Sequence, residues 1–283
     1  MAYADEIFKK NLMEIVAENT FDSRYPVRPV WKDGTPAHTV YTTGICNVYD
    51  IAKNGIPITT LRPVAWKTSL RELLWIWQDK SNDVGILNKK YNVKYWDAWQ
   101  NKQGNLGMAY GATAAKKYPF PDTPDLMTQI DRVIYLLKVD PMNRRIMTNL
   151  IEFEHMINYT LTPCAYETLW SVRNGFLDMT LIQRSNDFIA ANSINALQYS
   201  FLLLMIAQVV ELKPGKLIHF IQNAHVYDRH FGYIPILMEA EEFPQPTFQL
   251  DPSIKNFEDF RVEHFSLTNY QTGPQIKNIE IAE

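Results

Sequence analysis

The sequence predicts an α/β (α+β) fold with a mixed, mostly antiparallel twisted sheet flanked by helices, and three observations carry that prediction. Residues 146–151, 166–172 and 176–183 follow the two-residue period of strands, whereas residues 3–18 and 65–78 follow the period of amphipathic helices. Arg173-Asn174-Gly175 joins the last two strands and is a strong short-hairpin signal. Residues 193–212 are mostly apolar, with Asn195, Gln198 and Gln208 among the polar exceptions. That is the pattern of a helix buried nearly all round, hence of the central helix of the fold.

The bulk properties set the class. A chain of 283 residues with 46% hydrophobic and 21% charged residues can bury a sizeable core and has no disordered or fibrous character. No repeat, low-complexity tract or linker interrupts it, so residues 1–283 read as one domain. A formal net charge of -3 speaks against a general nucleic-acid binder, while leaving room for a local basic pocket. Met1-Ala2-Tyr3-Ala4-Asp5-Glu6 lacks the basic and apolar regions of a signal peptide. Two cysteines, Cys46 and Cys164, fit a reducing compartment. The longest apolar run, 201–207, is too short to span a bilayer. A soluble, cytoplasmic chain is expected.

Taken in order, the helix at 3–18 places Ile7, Leu12, Ile15 and Val16 at helical spacing among charges. Residues 22–38 are polar and Pro-rich, with the turn chemistry of a loop, and expose Arg28. On local pattern alone Arg28 reads as a solvated surface charge. Residues 39–48 read as a strand and 57–63 as a second loop. The helix at 65–78 buries Trp66, Leu70, Leu73, Leu74 and Trp77, and Glu72 sits in that apolar company. Such a carboxylate is either paired and hydrogen-bonded or an ordinary partner of Arg71 or Lys67 on the wet side. An aromatic, glycine-punctuated region follows, Tyr95-Trp96-Asp97-Ala98-Trp99 and residues 104–111, which serves a core or a flat ligand equally well. A helix at 125–137 precedes the strands. A strand at 217–222 leads into His225-Val226-Tyr227, and the tail from residue 243 carries short strand-like pieces.

The chemistry concentrates between Asp140 and Asn195. Cys164 follows Thr162-Pro163 at an expected strand edge, with Arg144, Arg145 and Arg184 in the same segment. A lone cysteine is commonly core filler. Arginines beside it would favour thiolate and would also pair bidentately with a phosphate monoester. The histidines and cysteines form no metal-ligand spacing, and there is no phosphate-binding glycine loop and no serine-hydrolase elbow. Spacing alone reaches a cysteine-nucleophile enzyme acting on a small anionic molecule, without a metal.

Longer motifs carry a resemblance. Asp33-Gly34-Thr35-Pro36-Ala37-His38-Thr39, Glu72-Leu73-Leu74-Trp75-Ile76-Trp77, Tyr95-Trp96-Asp97-Ala98-Trp99, Ala109-Tyr110-Gly111, Asn143-Arg144-Arg145, Pro163-Cys164, Gln183-Arg184-Ser185-Asn186-Asp187, Asn195 and His225-Val226-Tyr227 occur in this order. Over nearly its whole length the chain resembles the thymidylate synthase family, in its bacterial and phage branch. The resemblance implies reductive methylation of dUMP to dTMP, with 5,10-methylenetetrahydrofolate as one-carbon and hydride donor. It implies Cys164 as the nucleophile at uracil C6, Asn195 on the O4 and N3–H edge, Glu72 organising water for proton transfer, and Tyr110 assisting loss of the C5 proton. It implies that Arg28, Arg184 and Ser185 hold the phosphate, His225 and Tyr227 the ribose, and Asp187 the pterin, with Trp96, Trp99 and Ala282 around the folate. A homodimer built on the sheet face, in which Arg144 and Arg145 serve the other subunit's site, is implied as well.

The chain departs from the family pattern at several positions. Ala191 and Ser193 stand where a glycine and a proline are usual, Asn223 where an aspartate is, and Arg62 where a lysine is. Met147 replaces a histidine or isoleucine, and Glu283 a terminal apolar residue. These differences keep open a sister reaction, a dUMP hydroxymethylase that traps the methylene with water, and a non-catalytic nucleotide- or RNA-binding member. Asn195 favours uracil over cytosine, and Trp96 favours methylation because an aromatic wall excludes water.

Overall fold

The computed structural model describes residues 1–283, and its layout follows from where the chain changes its hydrophobic period. Helix α1 (Tyr3–Glu18) buries Ala4, Phe8, Leu12 and Ile15 on one face. Strand β1 (Thr20–Phe21) and the loop carrying Arg28 precede β2 (Thr39–Asp50). Helices α2 (Ile51–Asn54), α3 (Trp66–Trp77), α4 (Val84–Tyr91) and α5 (Gly111–Ala114) follow. Then come the small β3 (Lys117–Tyr118) and β4 (Met127–Thr128) pair and α6 (Gln129–Val139). The sheet continues with β5 (Met147–Asn149), β6 (Ala165–Arg173), β7 (Phe176–Gln183) and β8 (Asn186–Asp187). Helix α7 (Asn192–Val209), β9 (Lys213–Tyr227), α8 (Tyr233–Glu239) and the β10 (Thr247–Leu250) and β11 (Phe265–Thr268) hairpin complete the chain.

The main sheet has the order β1-β2-β9-β7-β6-β5, with β8 beside β9. Its neighbours are antiparallel except for β9 beside β7 and β8, which run parallel. The crossover from β7 to β9 is long enough to hold α7, as a parallel pair requires. The fold class expected from the sequence is the one observed.

The two faces of this sheet differ. Asn47, His219, Leu181, Thr168 and Thr148 are joined by register across five strands, and all are buried. The next row, Val48, Ile218, Thr180, Leu169 and Met147, points the other way because side chains alternate along strands. No helix of the chain covers that row: Val48, Leu169 and Met147 are 49%, 39% and 38% exposed. The inner face packs on α3 and α7 in a core of 45 buried residues that includes Trp75, Trp77, Phe201 and Leu203. A second cluster joins α1 to Phe188, Ile189 and the end of β9.

The expected boundaries need three corrections. The strand expected at 217–222 extends over Lys213–Tyr227, so His225 and Tyr227 lie on the strand and not beyond it. Its antiparallel pairing with β2 continues to Tyr227 opposite Thr39, and that ladder overrides the local polarity of Asn223 and His225. Helix α6 starts four residues later than expected, where the Thr128 hydroxyl accepts from Asp131 N at 3.3 Å. Helix α4, absent from the sequence reading, is capped by Asp83 accepting from Ile86 N at 3.1 Å. No helix is long and apolar enough to cross a membrane.

Leu203 is fully buried on α7, the helix that packs against both α3 and the sheet. Leu203→Ala should cost about 3 kcal/mol in chemical denaturation. A loss under about 1 kcal/mol would show that α7 is not the packing centre.

Candidate active site

Cys164 sits immediately before β6, at the open end of the β6–β7 hairpin. The closed end is the two-residue Asn174-Gly175 turn, whose positive φ values of 52° and 79° suit an asparagine and a glycine. At the open end Arg184 folds back over the cysteine. Its backbone N–H donates to the Cys164 carbonyl at 2.9 Å. Its guanidinium donates to the carbonyls of Pro163 at 3.1 Å and Thr162 at 2.6 Å, and Nη2 stands 3.7 Å from Cys164 Sγ. Burial pushes the thiol pKa up, while Arg184 and then Arg28 pull against it.

Arg28 thus belongs to the site although it lies exposed on its loop. Arg144 and Arg145 do not, and the expectation that they lower the thiol pKa fails for their own chain. They are exposed on the turn before β5, and β5 pairs Met147 with Leu169 and Asn149 with Glu167. Continuing that antiparallel register puts Arg145 near the far end of β6, about 20 Å from Cys164 at ~3.3 Å per residue.

Glu72 is buried on α3, so the wet-side alternative is excluded. Burial raises its carboxyl pKa, against hydrogen bonds from Tyr95, Trp96 and Gln198. Trp96 Nε1 donates to one carboxylate oxygen, and Gln198 Nε2 donates to the other at 2.7 Å. Gln198 also bonds the Ser69 carbonyl at 3.1 Å, tying α7 to α3 behind the carboxylate. Trp96 meets Trp99 and Tyr110 edge to face at 5.5 and 5.1 Å. Tyr110 Oη accepts from Cys164 N at 3.3 Å. Its backbone has φ 53° and ψ -111°, an unfavourable region for a side chain of this size. The next residue, Gly111, packs directly against the Ser81 backbone, where a Cβ would collide with it.

The remaining expected residues surround this group. Asn195 lies on the first turn of α7, and its Oδ1 accepts from Gln183 at 3.0 Å and Asn186 at 3.3 Å. Ser185 and Asp187 follow Arg184, and β8 pairs Asp187 with His225. Asp187 Oδ1 accepts the amides of Ile189 and Ala190 at 3.1 and 3.0 Å. His225 Nδ1 meets Asn223 Oδ1 at 2.8 Å and stacks edge to face on Tyr227. Burial, followed by Asp187, raises the Tyr227 hydroxyl pKa, and Arg28 and Cys164 are also near enough to act on it. Ala282 lies next to the Arg28 loop, because Glu283 and Val30 exchange backbone hydrogen bonds of 2.8 and 2.9 Å. The Glu283 side chain takes no part in that pairing. Ser193 Oγ accepts from Thr59 at 3.1 Å, so the usual proline position here ties α7 to a loop. A cavity of about 430 Å³ opens between Arg62, Ala190 and the tail residues Gln275 to Ile281.

The sequence reading named Gln198 only as a polar exception, gave Gln183 no role and passed over His219. The available signal was a carboxamide at helical position in an otherwise apolar helix.

Because Arg184 opposes the effect of burial on the thiol, Arg184→Met should slow iodoacetamide labelling of Cys164 at pH 8, about tenfold for each unit its pKa rises. Exposed Cys46 is the internal reference by peptide mass spectrometry. Unchanged or faster labelling of Cys164 would contradict the electrostatic role.

Comparison with known proteins shows the family. The family model described as Thymidylate synthase matches residues 6–282. The thymidylate synthase of Bacillus mojavensis is 39% identical over 283 residues, covering all of both chains. That of Lactococcus lactis subsp. cremoris is 39% identical with 98% of each chain covered. The solved structure of thermostable thymidylate synthase A from Bacillus subtilis superposes with a TM-score of 0.93 at 38% identity, covering 99% of each chain. With near-complete coverage by the family model and by relatives at this identity, the chain belongs to the thymidylate synthase family.

Proposed function

We infer that the chain methylates dUMP to dTMP, and the observation that carries the reading is the half-buried Cys164 beneath Arg184, beside the Glu72–Trp96–Tyr110 cluster. A phosphate monoester entering near Cys164 meets Arg28 and Arg184, with the Ser185 hydroxyl adjacent. Bidentate pairing to phosphate suits guanidinium groups. The Cys164 thiolate adds to C6, forming the C–S bond, and the displaced electron pair moves to O4 as an enolate. That addition is unfavourable unless charge at O4 is stabilised, so an N–H of Asn195 fixed beforehand acts at the transition state. C5 then carries the nucleophilic pair. Glu72, held by Trp96 and Gln198, orders water for proton transfer, and Tyr110 assists removal of the C5 proton. The pair freed by loss of that proton releases the carrier amine from the one-carbon unit joined to C5, and the pair returned to the ring when that carbon accepts the hydride expels the Cys164 sulfur from C6 as thiolate.

The site fits the reduced folate in two respects. Trp96 and Trp99 offer aromatic faces beside Glu72, and Asp187 keeps one carboxylate oxygen free of the backbone amides that hold the other. When bound, 5,10-methylenetetrahydrofolate supplies the one-carbon unit and the hydride and leaves as dihydrofolate. Trp96 shields the exocyclic carbon from water, which favours methylation over hydroxymethylation. Asp187 bonds the pterin, Ala282 closes over it, and His225 with Tyr227 holds the ribose hydroxyl.

A homodimer through the sheet face is part of the reading. The uncovered row containing Val48, Leu169 and Met147 supports it, since an apolar sheet face of this kind seeks a cover. The remoteness of Arg144 and Arg145 from their own Cys164 also supports it, because those arginines then remain available to the site of a second copy.

The direct test is to follow dihydrofolate absorbance with dUMP and 5,10-methylenetetrahydrofolate. A hydroxymethylated nucleotide without dihydrofolate would replace the methylation reading. Cys164→Ala should lower kcat on the order of 10⁵-fold, as removal of a covalent nucleophile does, and leave dUMP binding measurable. Glu72→Gln should lower kcat by about 10² or more with little change in dUMP affinity. Asn195→Asp should shift preference towards dCMP, and an unchanged dUMP/dCMP ratio would remove Asn195 from base recognition.

A further inference from the structure

Behind Asn195 runs a chain of polar groups whose orientations follow from donor and acceptor chemistry. Gln183, buried at the end of β7, donates through Nε2 to the Ser185 carbonyl at 2.9 Å and to Asn195 Oδ1 at 3.0 Å. A backbone carbonyl only accepts, so the Gln183 atom beside it must be nitrogen and the opposite atom oxygen. That oxygen lies 2.8 Å from His219 Nε2, which must therefore carry a proton. His219 is fully buried, and burial lowers its pKa to about 3, so the ring is neutral and has a single N–H. Its Nδ1 is then a bare acceptor, and it has no hydrogen-bond partner.

The same logic runs outward. The Asn195 atom facing Gln183 Nε2 must accept, so Oδ1 points inward, where Asn186 Nδ2 also approaches it. Asn186 Oδ1 in turn accepts from Asn192 at 3.2 Å. Asn195 Nδ2 meets no acceptor in the chain and stays available on a half-buried residue. An unsupported carboxamide could turn over and present its oxygen instead. In a pyrimidine, position 4 is a keto acceptor in uracil and an amino donor in cytosine. The sense of this one amide therefore decides which ring is read.

We propose that Gln183, and His219 behind it, are positioning residues that hold the Asn195 carboxamide N–H outward and so make the site select a 4-keto over a 4-amino pyrimidine nucleotide. This rests on the dUMP reading above. His219 satisfies the Gln183 oxygen, leaves its nitrogen directed at Ser185 and Asn195, and does not itself touch the nucleotide.

The experiment compares Kd for dUMP and dCMP by calorimetry in the wild type, Gln183→Met, His219→Phe and His219→Gln. Gln183→Met should shrink the dCMP/dUMP Kd ratio by roughly tenfold, the worth of one hydrogen-bond mismatch, mainly by weakening dUMP. His219→Phe should shift the ratio the same way by less. His219→Gln, whose amide can donate to Gln183, should restore it. Equal weakening of both nucleotides, with the ratio unchanged, would reduce these residues to structural support and overturn the proposal. Should the variants not fold, ¹⁵N-histidine NMR of the wild type decides. The proposal requires a neutral Nε2–H tautomer of His219 from pH 5 to 8, and a Nδ1–H tautomer or a titrating ring would overturn it. Wild-type protein that binds neither nucleotide would instead remove the dUMP reading, and this proposal with it.

Discussion

Arg184 is the constraint on which the site depends. It closes the end of the β6–β7 hairpin by bonding the carbonyls of Thr162 and Pro163, and it brings a guanidinium to the Cys164 sulfur. The same side chain thereby fixes where the thiol is and opposes the cost of ionising it under burial. A lysine would supply the charge but not the fork that grips two carbonyls while facing the sulfur. In the proposed reaction this guanidinium also receives the phosphate, so substrate binding and thiol chemistry share one group.

Around that hairpin the sheet arranges two kinds of support. The buried face, with α3 and α7 packed on it, carries the groups that need fixed orientation. Glu72 is held between Trp96 and Gln198, and Asn195 is held from behind by Gln183. The uncovered face carries an apolar row, and the turn beyond its edge strand carries the two arginines that cannot reach their own cysteine. The proposed homodimer would account for both features. The long β9 contributes to both faces because its side chains alternate, and its pairing with β2 extends to Tyr227 opposite Thr39.

Much of this was legible in the sequence. The hairpin at Asn174-Gly175 was visible because its turn demands positive φ, and α7 because a helix buried on all sides has no polar face to lose. The buried position of Glu72 was visible only as one of two alternatives, since periodicity places a residue at the margin of a face without saying what covers it. What stayed hidden was non-local. The extension of β9 depends on its pairing with β2, and the separation of Arg145 from Cys164 depends on β5 register, although the residues stand close in sequence. His219 was silent because it alternates inward on an apolar strand, where any inward residue looks like core. Its role emerges only when the Ser185 carbonyl fixes which end of Gln183 is nitrogen.

The central claim is that Cys164 forms the bond to C6. The most direct measurement incubates the protein with 5-fluoro-dUMP and 5,10-methylenetetrahydrofolate and maps the covalent product by mass spectrometry. With fluorine at C5 there is no proton to lose, so the sulfur cannot be expelled and the adduct should persist. The account predicts one adduct per occupied site, on the peptide containing Cys164. An adduct on Cys46, or none in folded protein that binds both ligands, would contradict it.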